Sequence, residues 1–157
     1  MKNKPFVIIL AGVPMSGKST WVKENYPDTL VISRDEILME VANTRDYGFA
    51  YKNANHKVVD RLLTSRIMEA SANDINVIID MTNLTRKIRI RNLSYFSDNY
   101  LKKAIIFPVL EMDEYNKRNE FRKLNENKFI PYGVITSMIT NFVLPTLDEG
   151  FDEIIKI

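Results

Sequence analysis

No cysteine occurs in the 157 residues. Its absence excludes disulfides, cysteine–zinc clusters and thiol nucleophiles, and it suits a reducing compartment. There is a single histidine, His56, with no metal-ligand cluster in sequence around it, so a surface role is expected there. Charge of one sign is also lacking: 22 basic residues against 20 acidic ones leave a net +2. That balance does not by itself point to nucleic acid, although a local basic patch remains compatible with it. The longest apolar run, Phe6 to Val13, falls far short of the ~20 residues that span a bilayer. The start "MKNKPFVIILAG" imitates a signal peptide, but its apolar run leads directly into a glycine-rich loop, which marks a buried strand. The expected location is cytoplasmic, with no membrane partner. With 5 glycines and 6 prolines there is no low-complexity linker and no internal repeat, so residues 1–157 are expected to form one domain.

What is present is a series of short apolar runs: "FVIIL" (6–10), "TLVIS" (29–33), "NVIID" (76–80), "KAIIFPVL" (103–110) and "FDEIIKI" (151–157). The first four are continuous rather than alternating, as strands covered on both faces of a parallel sheet are. Helical spacing predicts helices over roughly 17–26, 34–42, 54–73, 85–99, 112–126 and 132–142. The expected fold is α/β, with a parallel central sheet of about five strands flanked by helices; the run G-x-x-x-x-G-K-S from Gly12 to Ser19 after the first strand makes it a phosphate-loop NTPase, and the helix carrying Arg118 and Arg122 is expected to belong to a helical lid near 112–130. Ligands of such sheets bind beyond the carboxyl ends of the strands.

Residues Gly12 to Ser19 read G-x-x-x-x-G-K-S between a strand and a helix. Gly12 and Gly17 permit backbone angles that let amide N–H groups face phosphate oxygens, and the helix start adds its positive end. Lys18 is expected at the outer phosphates of ATP and Ser19 on Mg²⁺. Pro14, Ser16 and Thr20 complete the nucleotide-binding set. No N-K-x-D guanine-reading sequence is present.

Two further strand ends carry carboxylates. Asp35, in "SRDE", suits a base that takes the proton of an alcohol acceptor, but it equally suits an N-cap of the next helix. Arg34 beside it could orient that carboxylate or contact an anionic acceptor. Asp80, at the end of "VIID", has the placement of a magnesium-site carboxylate acting through water or Ser19. Thr82 and Asn83 follow in a turn where they could bind acceptor or simply satisfy backbone groups. Arg118 and Arg122 are four apart on one helix face. They are candidates to offset charge on a transferring phosphate, or else members of a solvated helix with Glu120 and Glu126. Two stretches could meet nucleic acid: "LTRKIRIRN" (84–92), with Arg86, Lys87, Arg89 and Arg91, and "RDYGFAYKNANHK" (45–57), with Tyr47, Phe49 and Tyr51. The alternatives are a solvated helix and core aromatics.

The chain resembles the polynucleotide 5′-hydroxyl kinase family of phosphate-loop kinases, found in phage end-healing enzymes and animal DNA end-repair kinase/phosphatases. The matching stretches are "GVPMSGKSTW", "SRDE", "IIDMTNL", "NKRNEFR", "IPYGVITSMI" and "LPTLDEGFDEII", in family order. The resemblance implies transfer of the ATP γ-phosphate to a 5′-hydroxyl of DNA or RNA. It also implies the base role for Asp35, contact of Arg122 with the transferring phosphate, and Arg118 on the same lid. Some phage members carry an arginine three residues after the base, where this chain has Leu38, so the acceptor grip is expected to differ. No D-x-D-G phosphatase signature is present, so a kinase module alone is expected, with a separate phosphatase or ligase partner left open. A nucleoside or small-metabolite kinase on the same scaffold, and a nucleotide-binding regulatory protein with no acceptor, are the alternatives.

Overall fold

In the computed structural model, which describes residues 3–157, five strands share one sheet. They are Phe6–Ala11 (β1), Leu30–Ser33 (β2), Val77–Asp80 (β3), Leu101–Ile106 (β4) and Glu153–Lys156 (β5), in the order β2-β3-β1-β4-β5. Every pairing is parallel, with Ile8 opposite Ile78 and Lys103. The helices are Lys18–Asn25 (α1), Arg34–Val41 (α2), Tyr47–Asn53 (α3), His56–Ala72 (α4), Arg86–Ser94 (α5), Met112–Glu126 (α6) and Tyr132–Asn141 (α7), with a 3₁₀ turn at Leu147–Glu149. Among the described residues, no helix is long and apolar enough to cross a membrane.

Both faces of the central strand are covered. Val7 and Ile9 pack with Ile37, Leu38, Val59, Leu63 and Ile67 on one side. Ile8 and Leu10 pack with Val22, Ile105 and Phe107 on the other. Residues Val7 to Ala11 are all inaccessible to solvent, and each large one contributes about 2 kcal/mol of burial free energy. This is why the run is continuous rather than alternating. A third cluster, Val13, Leu84, Tyr115 and Ile135, seats α6 and α7 over the phosphate loop.

Three boundaries differ from the sequence expectation. The fourth strand begins at Leu101, whose N–H donates to Pro5 O at 2.8 Å, and ends at Ile106, two residues before Pro108, which has no N–H for a ladder. Helix α5 stops at Ser94, beyond which Phe96 and Tyr100 turn inward and pack edge to face, 4.8 Å apart. The stretch 45–57 contains a helix, α3, capped by the Asp46 carboxylate, which accepts from Phe49 N–H.

The ends of β2 and β3 are in register, Ser33 opposite Asp80. The chain segments leaving β1, β2 and β3 therefore meet at one edge of the sheet.

Candidate active site

The loop after β1 is built around close approaches. Gly12 N–H donates to Thr82 O at 3.0 Å. A Cβ on Gly12 would stand 2.9 Å from both the Phe107 Cβ and the Ser16 Oγ, so only glycine fits. Gly17 takes φ +97°, and α1 starts after it with no side-chain cap. The first-turn N–H groups thus point at the loop with no side-chain partner, as an anion site needs. Ser16 Oγ is the one buried side-chain polar atom without a hydrogen-bond partner among the described residues. Lys18 Nζ donates to Gly12 O and Val13 O, both at 2.8 Å. Burial pushes its ammonium down to about 8, although Asp80 and Asp35 favour the charge; Arg122 and Lys128 oppose it.

These groups border a cleft of about 1360 Å³ lined by Pro14, Ser16, Gly17, Lys18, Ser19, Thr20, Arg34, Asp35, Asp80, Thr82, Arg118 and Arg122, among others. Sequence-predicted residues from four separate segments therefore meet in one place. Gly12 lies buried beneath the loop.

Asp35 is not the N-cap of α2. Ser33 is: its Oγ accepts from Glu36 N–H at 3.3 Å. The Asp35 side chain, 45% exposed, turns instead to Lys128, whose Nζ donates to Oδ2 at 2.5 Å. Arg34 Nε donates to Asp60 Oδ1 at 3.1 Å, and its Nη2 lies 3.4 Å from His56 Nδ1. His56 Nε2 is 2.9 Å from Tyr51 O, an arrangement that fits a ring proton on Nε2. The single histidine thus braces Arg34 from the surface.

Burial raises the pKa of Asp80, with Lys18 opposing the rise. Ser19 and Asp80 offer a hydroxyl and a carboxylate on the same cleft. That oxygen donor set fits Mg²⁺, which takes few protein ligands and completes its shell with phosphate oxygens and water. Among the described residues there is no group of three acidic, histidine or cysteine side chains that would hold a metal unaided.

The two lid arginines differ. Arg118 Nε donates to Glu114 and its Nη1 to Met15 O at 2.7 Å, so it fastens α6 to the phosphate loop. Arg122 faces the cleft with Nε 3.5 Å from Glu126.

Two expected acceptor residues stand elsewhere. Asn83 is buried with φ +47°. Its Nδ2 donates to Leu10 O at 2.7 Å and its Oδ1 accepts from Asn92 at 3.0 Å, so its amide is consumed in joining the ends of β1 and β3. Arg86 makes a bidentate pair with Asp148, both bonds 2.9 Å, and does not line the cleft. Arg89, expected in the same basic patch, is fully buried. It donates to both oxygens of Glu149 and to Asn83 O. Leu38 is likewise a core residue, so its position lends no side chain to the acceptor.

Sequence reasoning missed Lys128 and the detailed setting of Tyr47. The Lys128 ammonium lies 4.2 Å over the Tyr47 ring, and both line the cleft. Burial, then Asp35, pushes the Tyr47 phenol up to about 12. No local pattern marks Lys128; it reaches the site only because the lid folds over.

A parallel five-stranded sheet flanked by helices, with a glycine-rich loop running from the end of β1 into α1, defines the phosphate-loop kinase fold. A family model described as "AAA domain" matches residues 7–145, and the chain belongs to that family. It is similar to human heterogeneous nuclear ribonucleoprotein U-like protein 2, at 28% identity over 94% of this chain and 21% of the relative. The chain thus spans about a fifth of the length of the relative it matches. Its fold is shared with a chain of the Pnkp1/Rnl/Hen1 RNA repair complex (TM-score 0.71, 24% identity, 90% of this chain and 45% of that one). It is shared also with Chaetomium thermophilum Kti12 in complex with ADP-AlF₃ (TM-score 0.70, 15% identity, 96% and 88%).

Proposed function

We propose that this chain transfers the γ-phosphate of ATP to an alcohol, with the 5′-hydroxyl end of DNA or RNA as acceptor. The observation that carries the reading is the meeting of Lys18, Asp35, Asp80 and Arg122 on one cleft. Asp35 stands half-exposed on that cleft. The loop amides and Lys18 hold the β- and γ-phosphates. Ser19 and Asp80 would hold Mg²⁺, which would neutralise phosphate charge when bound. Asp35 accepts the proton of the acceptor hydroxyl as its oxygen forms a bond to the γ-phosphorus and the bond to the bridging oxygen breaks, releasing ADP. Arg122 offsets the charge gathered on the equatorial oxygens, and α6 excludes water. Tyr47, Tyr51 and Lys52 along the same cleft offer aromatic faces and a cation to the end of a single strand. The likeness of fold to a chain of an RNA repair complex accords with a polynucleotide acceptor. A cytoplasmic location accords with the lack of cysteine.

The test is a panel of 5′-hydroxyl DNA and RNA oligonucleotides, single-stranded and duplex, beside nucleosides and small alcohols, incubated with γ-labelled ATP. Label on polynucleotide ends is expected. Label on a small alcohol alone assigns a metabolite kinase, and label on none favours a regulatory nucleotide-binding protein.

A further inference from the structure

Lys128 follows the last turn of the lid helix and stands between two groups on the acceptor side. Its Nζ donates to Asp35 Oδ2 at 2.5 Å and lies 4.2 Å above the Tyr47 ring. Its side chain is only 13% exposed, against 45% for Asp35. The residue before it is pinned too. Asn127, at φ +47°, donates from Nδ2 to Asp46 Oδ1 at 2.6 Å, and its carbonyl accepts from Gly48 N–H at 3.2 Å. A Cβ on Gly48 would stand 2.9 Å from that carbonyl, so glycine is what allows the approach. The end of α6 is thereby docked on the start of α3, directly beside Asp35.

We propose that Lys128 is a positioning residue that guards Asp35. With the lid docked, its ammonium occupies Asp35 Oδ2 against water, and an acceptor alcohol takes its place. The inference rests on the phosphotransfer reading above. The pair is open on the Asp35 side, where the carboxylate is half-exposed, so an incoming hydroxyl can reach it and compete with the ammonium. Without the guard, water can occupy the acceptor position. Its oxygen would form the bond to the γ-phosphorus, the bond to the bridging oxygen would break with ADP leaving, and the proton would pass to Asp35. The products are ADP and inorganic phosphate. The guard therefore spares ATP when no acceptor is present.

The experiment compares the full chain with Lys128→Met, which keeps the stem length and removes the charge, and with Lys128→Arg. ATP hydrolysis without acceptor is expected to rise about ten-fold in Lys128→Met, as water gains access to the Asp35 oxygen that the ammonium held. The acceptor KM is expected to fall while the ATP KM stays unchanged, and Lys128→Arg is expected to restore low hydrolysis. Exchange of the Gly48 amide with deuterium is expected to be unchanged in Lys128→Met, because Asn127 and not Lys128 docks the lid; markedly faster exchange would assign the hydrolysis to undocking and overturn the guard. Unchanged or lower hydrolysis in Lys128→Met overturns the guard, whatever the acceptor. Wild-type failure to label any acceptor overturns the phosphotransfer reading instead, so the two failures are told apart.

Discussion

Arg118 and Met15 join the lid to the phosphate loop: the arginine Nη1 donates to the Met15 carbonyl at 2.7 Å. Arg122, one turn further along α6, makes no such bond and faces the cleft. The two positions should therefore fail differently. Arg122→Ala is expected to lower kcat by about 10³-fold, as loss of an arginine at a transferring phosphate does. Arg118→Ala is expected to raise the ATP KM by loosening the loop. Steady-state kinetics with both substrates varied separates them.

Asp35→Asn keeps the shape of the side chain and removes its capacity to take a proton. Phosphate transfer is expected to fall by about 10²–10⁴-fold. ATP affinity, measured by calorimetry, is expected to hold, because Ser33 and not Asp35 caps α2.

Lys18 sets an alkaline limit. Its ammonium is held down to about 8 by burial, so the free protein loses the charge proposed to meet the phosphates as pH rises through that value. kcat/KM for ATP is expected to decline above pH 8, about ten-fold per unit once well past it. Stability moves the other way. The unfolded lysine keeps its proton up to about 10.5, so between pH 8 and 10.5 the unfolded chain binds more protons and this residue's contribution to folding stability rises with pH. Urea titrations of wild type and Lys18→Met across that window check the sign.

The Arg89–Glu149 pair is buried on both sides, at 0% and 1% side-chain exposure. Burial works to raise the Glu149 carboxyl, but bonds from Arg89 and Thr146 prevail and hold it below its ordinary range. Arg89→Met leaves that carboxylate buried without its partner and is expected to cost about 3–5 kcal/mol. Equilibrium urea unfolding measures it.

Gly12→Ala places a Cβ 2.9 Å from the Phe107 Cβ, an atom that cannot swing aside. The loop must shift, and loss of measurable ATP binding with retained far-UV circular dichroism is the expected outcome.

The sheet was legible because parallel strands buried on both faces write themselves as unbroken apolar runs, and the phosphate loop because its geometry depends on local glycine spacing. That Asp35 and Asp80 would face the cleft was legible from their places just after β2 and at the end of β3. Arg86 and Arg89 were misjudged because their carboxylate partners, Asp148 and Glu149, lie about sixty residues away in the chain. A cluster of basic residues looks the same in sequence whether it meets solvent, phosphate or a distant acid. Helix α3 escaped notice because Phe49 and Tyr51 are exposed and only Ala50 is buried, which leaves no apolar stripe. Lys128 carried no signal, since its partners come from tertiary docking alone.

The amide of Asn83 has a consequence for how such a scaffold diversifies. By stitching the ends of the first and third strands together from inside, it turns the floor beneath the phosphates into a rigid plate on which changes of sequence would be costly. Change in what the cleft admits is left to the short aromatic helix and the tip of the lid, which close over that plate through side chains of Asn127 and Lys128 rather than through a strand ladder.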